Sequence, residues 1–294
     1  MTGMPPDEHG NGRTAGRPGG GHTATDDEPA GRHDTAVTVE QRGQVRILAI
    51  DRADRRNAMS PSTAAELEHA VREAGDDPDT HALVLTGVGE HFSAGGDVSA
   101  ILDTVSSGDD RDLLALLRAF HRLVVEIWES RLPVVAAVSG VAYGGGFNLA
   151  LACDLVVLSA DARLCQVFVH RGVVPDVGGA WLLPRLVGMQ RAKELMLLAP
   201  EIDAKRALEL GLANAVEPDP EATLAAAIDK AEQLAALPSY TVALGKKLIN
   251  HSADADLRGS LELEAVTQSA ALRSAPAVEG FETFRQSRQK KDTP

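Results

Sequence analysis

The apolar positions along the chain predict strands that alternate with helices. From Val37, the runs AVTVE and VRILAID flank Arg42 and Gly43, a pattern typical of two strands joined by a tight turn. Ser60 and Pro61 then open a stretch whose apolar residues follow helical spacing, with a capping residue ahead of proline at the first helical position. A hairpin followed by a helix is therefore expected at the start of the folded part.

Continuous apolar runs further along predict strands that are buried on both faces, namely HALVLTGVG, PVVAAVSG and DLVVLSA. Between them, residues 113–128 have helical spacing and GGGFNLALA opens another helix. Strands that alternate with helices favour an α/β domain with a mostly parallel sheet. After Pro184 the pattern predicts helices to the end of the chain, including the amphipathic stretches ALELGL and LAAAIDKAEQLAAL.

Composition changes this picture at the N-terminus. Residues 1–36 contain eight Gly and four Pro but no Val, Ile, Leu or aromatic residue. Such a segment cannot bury enough apolar surface to offset the entropy lost on ordering. The sequence thus predicts a disordered tail over residues 1–36, a core domain over 37–230 and a C-terminal helical region over 231–294.

Charge and hydropathy exclude several classes of partner. The 294 residues include 42 acidic and 29 basic side chains, a net charge of −13, which disfavours binding to nucleic acid. No apolar run reaches the roughly 18 residues of a membrane span, and the N-terminus lacks the features of a secretory signal. Only Cys153 and Cys165 are present, too few for a disulfide framework. A cytoplasmic protein with no membrane partner is expected.

Two glycine clusters, FSAGGD at residues 92–97 and GVAYGGGFN at 140–148, stand where a strand ends and a helix begins. Ligands of α/β sheets bind at such places, and free N–H groups at a helix start favour negative charge. Two converging loops could give two N–H donors to one oxygen, as in an oxyanion hole. Tight turns without chemistry are the alternative. Neither cluster has the spacing of a phosphate-binding loop or a dinucleotide fingerprint.

The chain resembles the crotonase (enoyl-CoA hydratase/isomerase) superfamily over about residues 37–288, through motifs that follow in family order: DRADRRNAMS, TGVGEHFSAGGDV, PVVAAVSGVAYGGGFNLALACDLVVLSADARL, GVVPDVGGAWLLPRLVG, IDAKRALELGLANAV and EGFETFRQSR. The resemblance implies a spiral of ββα units with a C-terminal helical trimerisation region, assembled as a homotrimer or hexamer. It also implies an acyl-CoA thioester substrate, with coenzyme A as part of the substrate and no separate cofactor or metal. The oxyanion-hole N–H groups would belong to Gly96 and Gly145.

The same resemblance separates two chemistries. The positions of the two glutamates of family hydratases hold Asn148 and Phe168 here, and neither side chain can act as a carboxylate base. Asp176 stands where family isomerases carry a proton-shuttling carboxylate, and VPDVGGAWLLPRLVG resembles ring-1,2-epoxyphenylacetyl-CoA isomerases. An acyl-CoA isomerase is therefore expected. A hydratase in which Asp176 and Asn148 order a water, and a non-catalytic acyl-CoA-binding subunit, are the alternatives. Asp176 could also be a turn residue after Pro175.

Further residues are expected around the substrate. Phe168 is one of them, and Asn148 is another, although its amide could point into a satisfied core instead of bonding a substrate group or water. Ala94 and Asp97 flank the first glycine pair, where Asp97 also suits the cap of a helix starting near Val98. Tyr143 could line the acyl pocket or be a packed aromatic, and Arg55 and Arg56 lie where the family's CoA-contacting loop falls. Less favoured candidates are Lys246 and Lys247 for the CoA phosphates and Phe281 or Phe284 over the acyl group. His170 is interpreted as a surface residue, Asp154 as the anchor of a strand start, and both cysteines as core residues.

Overall fold

The computed structural model describes residues 35–291, with side chains described to residue 288. The predicted disordered tail therefore lies outside the described residues, apart from its last two positions. Of these, Ala36 already belongs to the ordered structure, because its N–H donates to Glu66 Oε2 at 2.8 Å and its carbonyl accepts from Asp51 N at 2.8 Å.

The described residues form nine strands: β1 (Val37–Arg42), β2 (Val45–Ile50), β3 (Ala82–Gly87), β4 (Val134–Val138), β5 (Val141–Tyr143), β6 (Leu155–Ser159), β7 (Arg163–Cys165), β8 (Ile202–Asp203) and β9 (Ala215–Glu217). They also form eleven α-helices: α1 (Pro61–Asp76), α2 (Val98–Ser107), α3 (Asp110–Glu129), α4 (Gly145–Ala152), α5 (Gly179–Val187), α6 (Met189–Lys193), α7 (Ala204–Glu209), α8 (Pro220–Ala235), α9 (Ser239–Ser252), α10 (Leu257–Ala271) and α11 (Ala275–Lys291).

Six strands make the main sheet, in the order β1-β2-β3-β4-β6-β9, and β5-β7-β8 make a smaller one. The β1–β2 hairpin is antiparallel, with Val37 opposite Ile50, whereas every other pair of the main sheet is parallel. The hairpin and the mostly parallel α/β sheet predicted from the sequence are confirmed. Ser60 caps α1 by accepting a hydrogen bond from Thr63 N at 3.2 Å, as the Ser-Pro signal predicts.

The central strands are buried on both faces because side chains alternate across a strand. Leu83 and Leu85 of β3 belong to the larger apolar cluster, which also contains core residues of α1 and α3. Ala82 and Val84 face the other way, into a second cluster that contains the buried face of α8. This double burial explains why the sequence of β3 reads as an uninterrupted apolar run.

Two expectations about the C-terminal half were wrong. The chain after Pro184 is not helical throughout, since β8 and β9 interrupt it and β9 pairs with β6 at the edge of the main sheet. Strands of two or three residues are too short to show a period of two. The predicted boundary at residue 230 falls inside α8, whose buried face continues to Ala235, so this helix belongs to the core.

No helix among the described residues is long and apolar enough to span a membrane.

Candidate active site

The two glycine clusters lie side by side in the structure. Ser93 of the first cluster pairs with the second, since Ser93 N donates to Val141 O at 3.0 Å and Tyr143 N donates to Ser93 O at 3.0 Å. A Cβ at Gly146 would overlap the Ser93 carbonyl oxygen, so the close approach requires glycine there. The sequence expectation that these loops converge is met by this pairing.

The convergence brings two peptide N–H groups together. A Cβ on Gly145 would lie only 3.9 Å from Gly96 N, and Gly145 is the first residue of α4, where an N–H has no partner inside its helix. Gly95 turns the first loop with a φ of 91°, and a Cβ there would lie 2.7 Å from Tyr143 O. Neither Gly96 N nor Gly145 N donates a hydrogen bond within residues 35–291. Such a pair suits an oxygen that gains negative charge during a reaction.

Asp97 fixes the position of the first loop. Its carboxylate caps α2 by accepting from Ser99 N at 3.0 Å, as predicted, and forms ion pairs with Arg52 at 2.8 Å and Arg55 at 3.3 Å. Burial alone would raise the pKa of Asp97, but the hydrogen bonds from Arg52 and Ser99 N outweigh it and lower that pKa. The backbone adds a bond on each side of Gly96, from Met59 N to Gly95 O at 2.7 Å and from Asp97 N to Met59 O at 2.8 Å.

Arg55 and Arg56 lie at the surface beside the same loop. Arg55 is half exposed and is already paired with Asp97, whereas the Arg56 side chain is exposed. Arg56 has a φ of 52° and its carbonyl accepts a hydrogen bond from Ala94 N at 2.9 Å, which holds Ala94 next to the glycine pair. The structure thus brings these three residues to the mouth of the loop. Their contact with coenzyme A stays a prediction.

Asn148 and Gln166 form a buried chain of amides that holds the backbone of Asp176. Asn148 is completely buried; its Nδ2 donates to Asp176 O at 2.8 Å and its Oδ1 accepts from Gln166 Nε2 at 2.7 Å. A Cβ at Gly179 would overlap the Asn148 amide, so that glycine leaves room for the chain. Sequence reasoning missed Gln166. Its one signal was a polar residue directly after the buried end of β7.

The backbone that carries Asp176 is strained. Val177 is buried with a φ of 50°, a region that a β-branched residue rarely adopts, and Gly178 follows with a φ of 74°. The Val177 side chain faces Gly145, on which a Cβ would lie 3.1 Å from Val177 Cγ2. Asp176 O also accepts from Gly179 N at 2.9 Å, so Asp176 takes part in the turn before α5 as well.

The Asp176 carboxyl is half buried, and burial raises its pKa to about 6, an effect that His121 opposes. A carboxylate whose pKa lies near neutrality can both take and return a proton at working pH. Through Val177, this carboxyl is tied to the loop that presents Gly145 N. Asp176 thus combines a raised pKa with a place next to Val177, whose side chain packs on the loop of Gly145.

Aromatic side chains surround the second loop. Phe168 is buried, and a Cβ at Gly144 would lie 3.4 Å from Phe168 Cζ, so its ring covers this loop. The Tyr143 hydroxyl donates to the Glu201 carboxylate, and burial, with help from that bond, raises the pKa of Tyr143 to about 12. The hydroxyl is thus occupied within the protein. The structure does not bring the exposed His170 into this group, which confirms its interpretation as a surface residue.

The expectation that Lys246 contacts phosphate was wrong. Lys246 is buried, and its Nζ donates to Ile127 O at 2.9 Å, to Leu132 O at 3.0 Å and to Asp154 Oδ2 at 2.7 Å, which uses all three of its protons. Asp154 Oδ2 also accepts from Val134 N at 2.7 Å, so its interpretation as the anchor of a strand start is confirmed. Lys247 remains exposed.

The remaining predicted candidates fall into two groups. Phe281 and Phe284 are exposed on α11. Cys153 and Cys165 are buried, and burial raises the pKa of both thiols, which confirms them as core residues.

No cluster of three or more His, Cys, Asp or Glu suited to a metal ion occurs in the described part of the chain. A cavity of about 570 Å³ lies away from the glycine loops, between α5 and α9, and includes Trp128 and Trp181 in its lining.

The chain is similar to known proteins over most of its length. A family model described as enoyl-CoA hydratase/isomerase matches residues 40–292. The chain is 34% identical to a short-chain-enoyl-CoA hydratase of Clostridium acetobutylicum over 230 residues, which cover 78% of this chain and 86% of that protein. It is 34% identical to the 1,2-epoxyphenylacetyl-CoA isomerase of Escherichia coli over 241 residues, 82% of this chain and 91% of the relative.

The fold is likewise similar to that of a solved structure, an enoyl-CoA hydratase from Polaromonas sp. JS666. The two share 32% sequence identity and superpose with a TM-score of 0.81, over 85% of this chain and 97% of the other. The crotonase-type fold expected from the sequence motifs is thereby confirmed.

Proposed function

The chain belongs to the enoyl-CoA hydratase/isomerase family, and within that family we propose that it is an acyl-CoA isomerase, which moves a double bond through an enolate of the thioester. The observation that supports the proposal is one half-buried carboxyl, Asp176, with a pKa raised to about 6, on a segment whose next residue, Val177, packs on the loop of Gly145. The N–H groups of Gly145 and Gly96 lie close together and donate no hydrogen bond within residues 35–291.

The first step is the binding of the thioester carbonyl oxygen by the N–H groups of Gly96 and Gly145. Both donors are backbone groups on loops fixed by hydrogen bonds, so they need no rearrangement when charge develops. As the α-proton leaves, the electron pair of the C–H bond moves towards this oxygen and forms the enolate. Donors that bind the enolate better than the ground-state thioester lower the barrier to that step.

Asp176 then moves the proton. With a 3-enoyl-CoA as substrate, the carboxylate takes a proton from C2, the double bond shifts to C2–C3, and the carboxylic acid returns the proton at C4. No water is consumed and the mass is unchanged. One carboxyl suffices because the same group acts first as base and then as acid.

A hydratase is the second candidate, because most of the similar proteins, including the Clostridium acetobutylicum relative, carry that name. Adding water benefits from a second group that orients the nucleophile. Asn148 does not suit that task, since it is fully buried and its amide is bonded to Asp176 O and Gln166. Phe168 has no polar group. A non-catalytic acyl-CoA-binding subunit is less favoured, because it would not need a carboxyl with a raised pKa beside the paired donors.

The same proposal assigns the remaining contacts. Arg56, exposed next to the first loop, and the partly engaged Arg55 offer positive charge for the phosphates of coenzyme A in a protein with a net charge of −13. Ala94 and Asp97 shape the loop that receives the thioester. Phe168 and Tyr143 cover the second loop, Phe168 being the more suited to contact the acyl chain because its side chain has no partner to satisfy.

We also propose assembly as a homotrimer or hexamer. No residue of α10 is buried in the single chain, and large apolar side chains of α10 and α11 are exposed, namely Leu257, Leu261, Val266, Phe281 and Phe284. Exposed apolar patches of this kind mark contact surfaces. Size-exclusion chromatography with light scattering should give three or six chains of 31.0 kDa, and a monomer would contradict the assignment.

The deciding experiment incubates the purified protein with a 3-enoyl-CoA and, separately, with a 2-enoyl-CoA. Absorbance of the conjugated thioester and product mass are followed in both. The isomerase produces a rising absorbance from the first substrate at unchanged mass. Loss of absorbance from the second substrate, with the mass of one added water, would support the hydratase instead.

The role of Asp176 is tested by Asp176→Asn, with Asp229→Asn, an exposed change on α8, as the matched control. The Asp176 variant should lose turnover by about 100-fold or more and still bind acyl-CoA, because general acid–base catalysis contributes at least that much. The control should keep its activity. Full activity in Asp176→Asn would remove this residue from the mechanism. Binding of acyl-CoA by the wild type, with no exchange of the α-proton into deuterated water, would favour the binding subunit.

A further inference from the structure

Helix α3 turns one face towards the segment that carries Asp176. Residues 117, 121, 124 and 128 share that face, because helical neighbours recur at three and four positions. Two of them contact the segment directly. The Trp128 and Trp181 rings lie 5.1 Å apart in an edge-to-face arrangement, and a Cβ at Gly178 would lie 3.3 Å from Val124 Cγ1.

These contacts define a direction along the helix. Going back one turn from Trp128 to Val124 moves the contact from Trp181 back to Gly178. His121 follows Val124 one further turn back along α3, and Asp176 precedes Gly178 by two residues, so the same direction leads from His121 towards Asp176. The electrostatics agree with this placement, because His121 opposes the rise that burial causes in the pKa of Asp176. The His121 side chain is exposed.

We propose that His121 is a positioning residue for Asp176: its imidazolium holds the half-buried carboxyl in the ionised form that removes the substrate proton. The inference rests on the proposed function, in which Asp176 is the base. It names a second titratable group for the reaction, from a helix that contributes none of the glycine-loop residues. Histidine suits this task because its protonated ring carries the positive charge that favours an ionised carboxyl.

Other charged groups near this segment are either engaged or directed to solvent. Helix α4 carries no titratable side chain. On α5, Arg185 stacks on Trp181 at 4.0 Å and pairs with Asp254 at 3.4 Å. On α3, Arg122 pairs with Glu68 at 3.3 Å, while Arg118 is exposed.

On the other side, His170 and Arg171 precede the Asp176 loop and are both exposed. Of the charged side chains in these neighbouring elements, His121 is the one that counters the effect of burial on the pKa of Asp176 within the described residues. A change at His121 should therefore be felt by the carboxyl without compensation from another cation.

The test reads the carboxyl directly, without substrate. In protein labelled with ¹³C-aspartate, the signal of Asp176 is the one that Asp176→Asn removes, and its shift is followed from pH 4 to 9. His121→Gln, which cannot become charged, should raise the apparent pKa of Asp176, and His121→Arg, which is always charged, should return it to the wild-type value or below. His69→Gln, an exposed histidine of α1, is the matched control and should change nothing.

A second readout is the pH profile of isomerisation. His121→Gln should lower kcat by about fivefold at pH 6 and by less than about twofold at pH 8.5, with KM little changed. The effect is smaller at pH 8.5 because the Asp176 carboxyl is almost fully ionised at that pH even when its pKa is raised. His121→Arg should restore the rate at pH 6. A purely structural role would instead reduce the rate equally at both pH values and in both variants.

The two hypotheses fail separately. If His121→Gln leaves the titration of Asp176 at its wild-type position, the inference about His121 is overturned, whatever the activity of the enzyme. If the titration shifts as expected but wild-type protein neither isomerises a 3-enoyl-CoA nor exchanges its α-proton, the proposed function fails while the pairing of the two side chains stands.

Discussion

The Lys246→Met variant should destabilise the protein strongly, although Lys246 lies on a helix near the C-terminal end of the chain. Lys246 joins α9 to the end of α3 and the start of β4, through the carbonyls of Ile127 and Leu132 and the carboxylate of Asp154. Its side chain is 6% exposed and that of Asp154 is 23% exposed, so water replaces little of what is lost. Methionine keeps the apolar stem and removes the charge and three hydrogen bonds.

The magnitude depends on the Asp154 carboxylate, which is left without its counter-ion. Removing one partner of a buried ion pair costs about 3–5 kcal/mol, and because Asp154 is partly exposed we expect a loss of unfolding free energy of about 3 kcal/mol. Burial already raises the pKa of Asp154, although Lys246 opposes that shift. Without Lys246 the pKa rises further, and ionising the buried carboxyl then costs more. The penalty should thus be largest at pH 8 and should shrink as the pH falls and Asp154 becomes protonated.

Urea unfolding at fixed protein concentration measures this effect, and tryptophan fluorescence reports it because Trp128 and Trp181 line the cavity next to α9. Lys247→Met, the exposed neighbour, should change stability by less than about 0.5 kcal/mol. Adding Asp154→Asn to Lys246→Met should recover part of the loss, since no buried charge is left. A loss below about 1 kcal/mol, or one that is equal at pH 5 and pH 8, would refute the assignment of Lys246 as a buried counter-ion.

Three further outcomes are expected. The rate of isomerisation should rise with pH through about 6 as Asp176 ionises, and a profile that is flat from pH 5 to 8 would argue against this base. The folded protein raises the pKa of Asp176 from 3.8 to about 6, so the cost of ionising this carboxyl in the fold develops between these two pH values and is complete above about 6. Asp176→Asn should therefore be more stable than wild type at pH 8, by at most about 3 kcal/mol, with little gain at pH 4 in thermal unfolding. Gly179→Ala should displace Asn148 and lower kcat by about tenfold or more, whereas Gly75→Ala, with open space around its Cβ in α1, should leave kcat unchanged and add about 0.5–1 kcal/mol of stability; equal rates in both would contradict the role of the amide chain.

The fold was largely predictable because its central strands are recognisable as continuous apolar runs in the sequence. A strand such as β3, covered on both faces, needs apolar residues at every position, and that run is visible in one sequence. β8 and β9 were not predicted, since two or three residues paired at a sheet edge need no apolar pattern of their own. The prediction for Lys246 failed for a related reason. A lysine on a helix is expected at the surface, and the sequence does not show that two backbone carbonyls and a carboxylate surround this one.

Some residues of the candidate site could likewise be predicted from the sequence, and others could not. The glycines were detectable because a backbone that must approach another backbone, as Gly146 approaches Ser93, excludes any side chain. The expectation for Asp176 came from motif resemblance. The contacts between residues far apart in the sequence could not be predicted from any local pattern. Gln166 bonds Asn148 across 18 positions, and His121 precedes Asp176 by 55 positions.

The chemistry of Asp176 is consequently a property of packing and not of its own sequence neighbourhood. Val177 has a left-handed backbone, and its buried side chain packs on the loop of Gly145, so the segment that carries Asp176 is held against that loop. The amide of Asn148 secures the same loop from the other side through Asp176 O. Asn148 stands at a position where the resemblance to family hydratases implies a glutamate, and its amide holds the segment of Asp176 in place. In the proposed mechanism the thioester oxygen is bound by a different pair of backbone groups, so loss of that amide should reduce kcat more than it reduces acyl-CoA affinity.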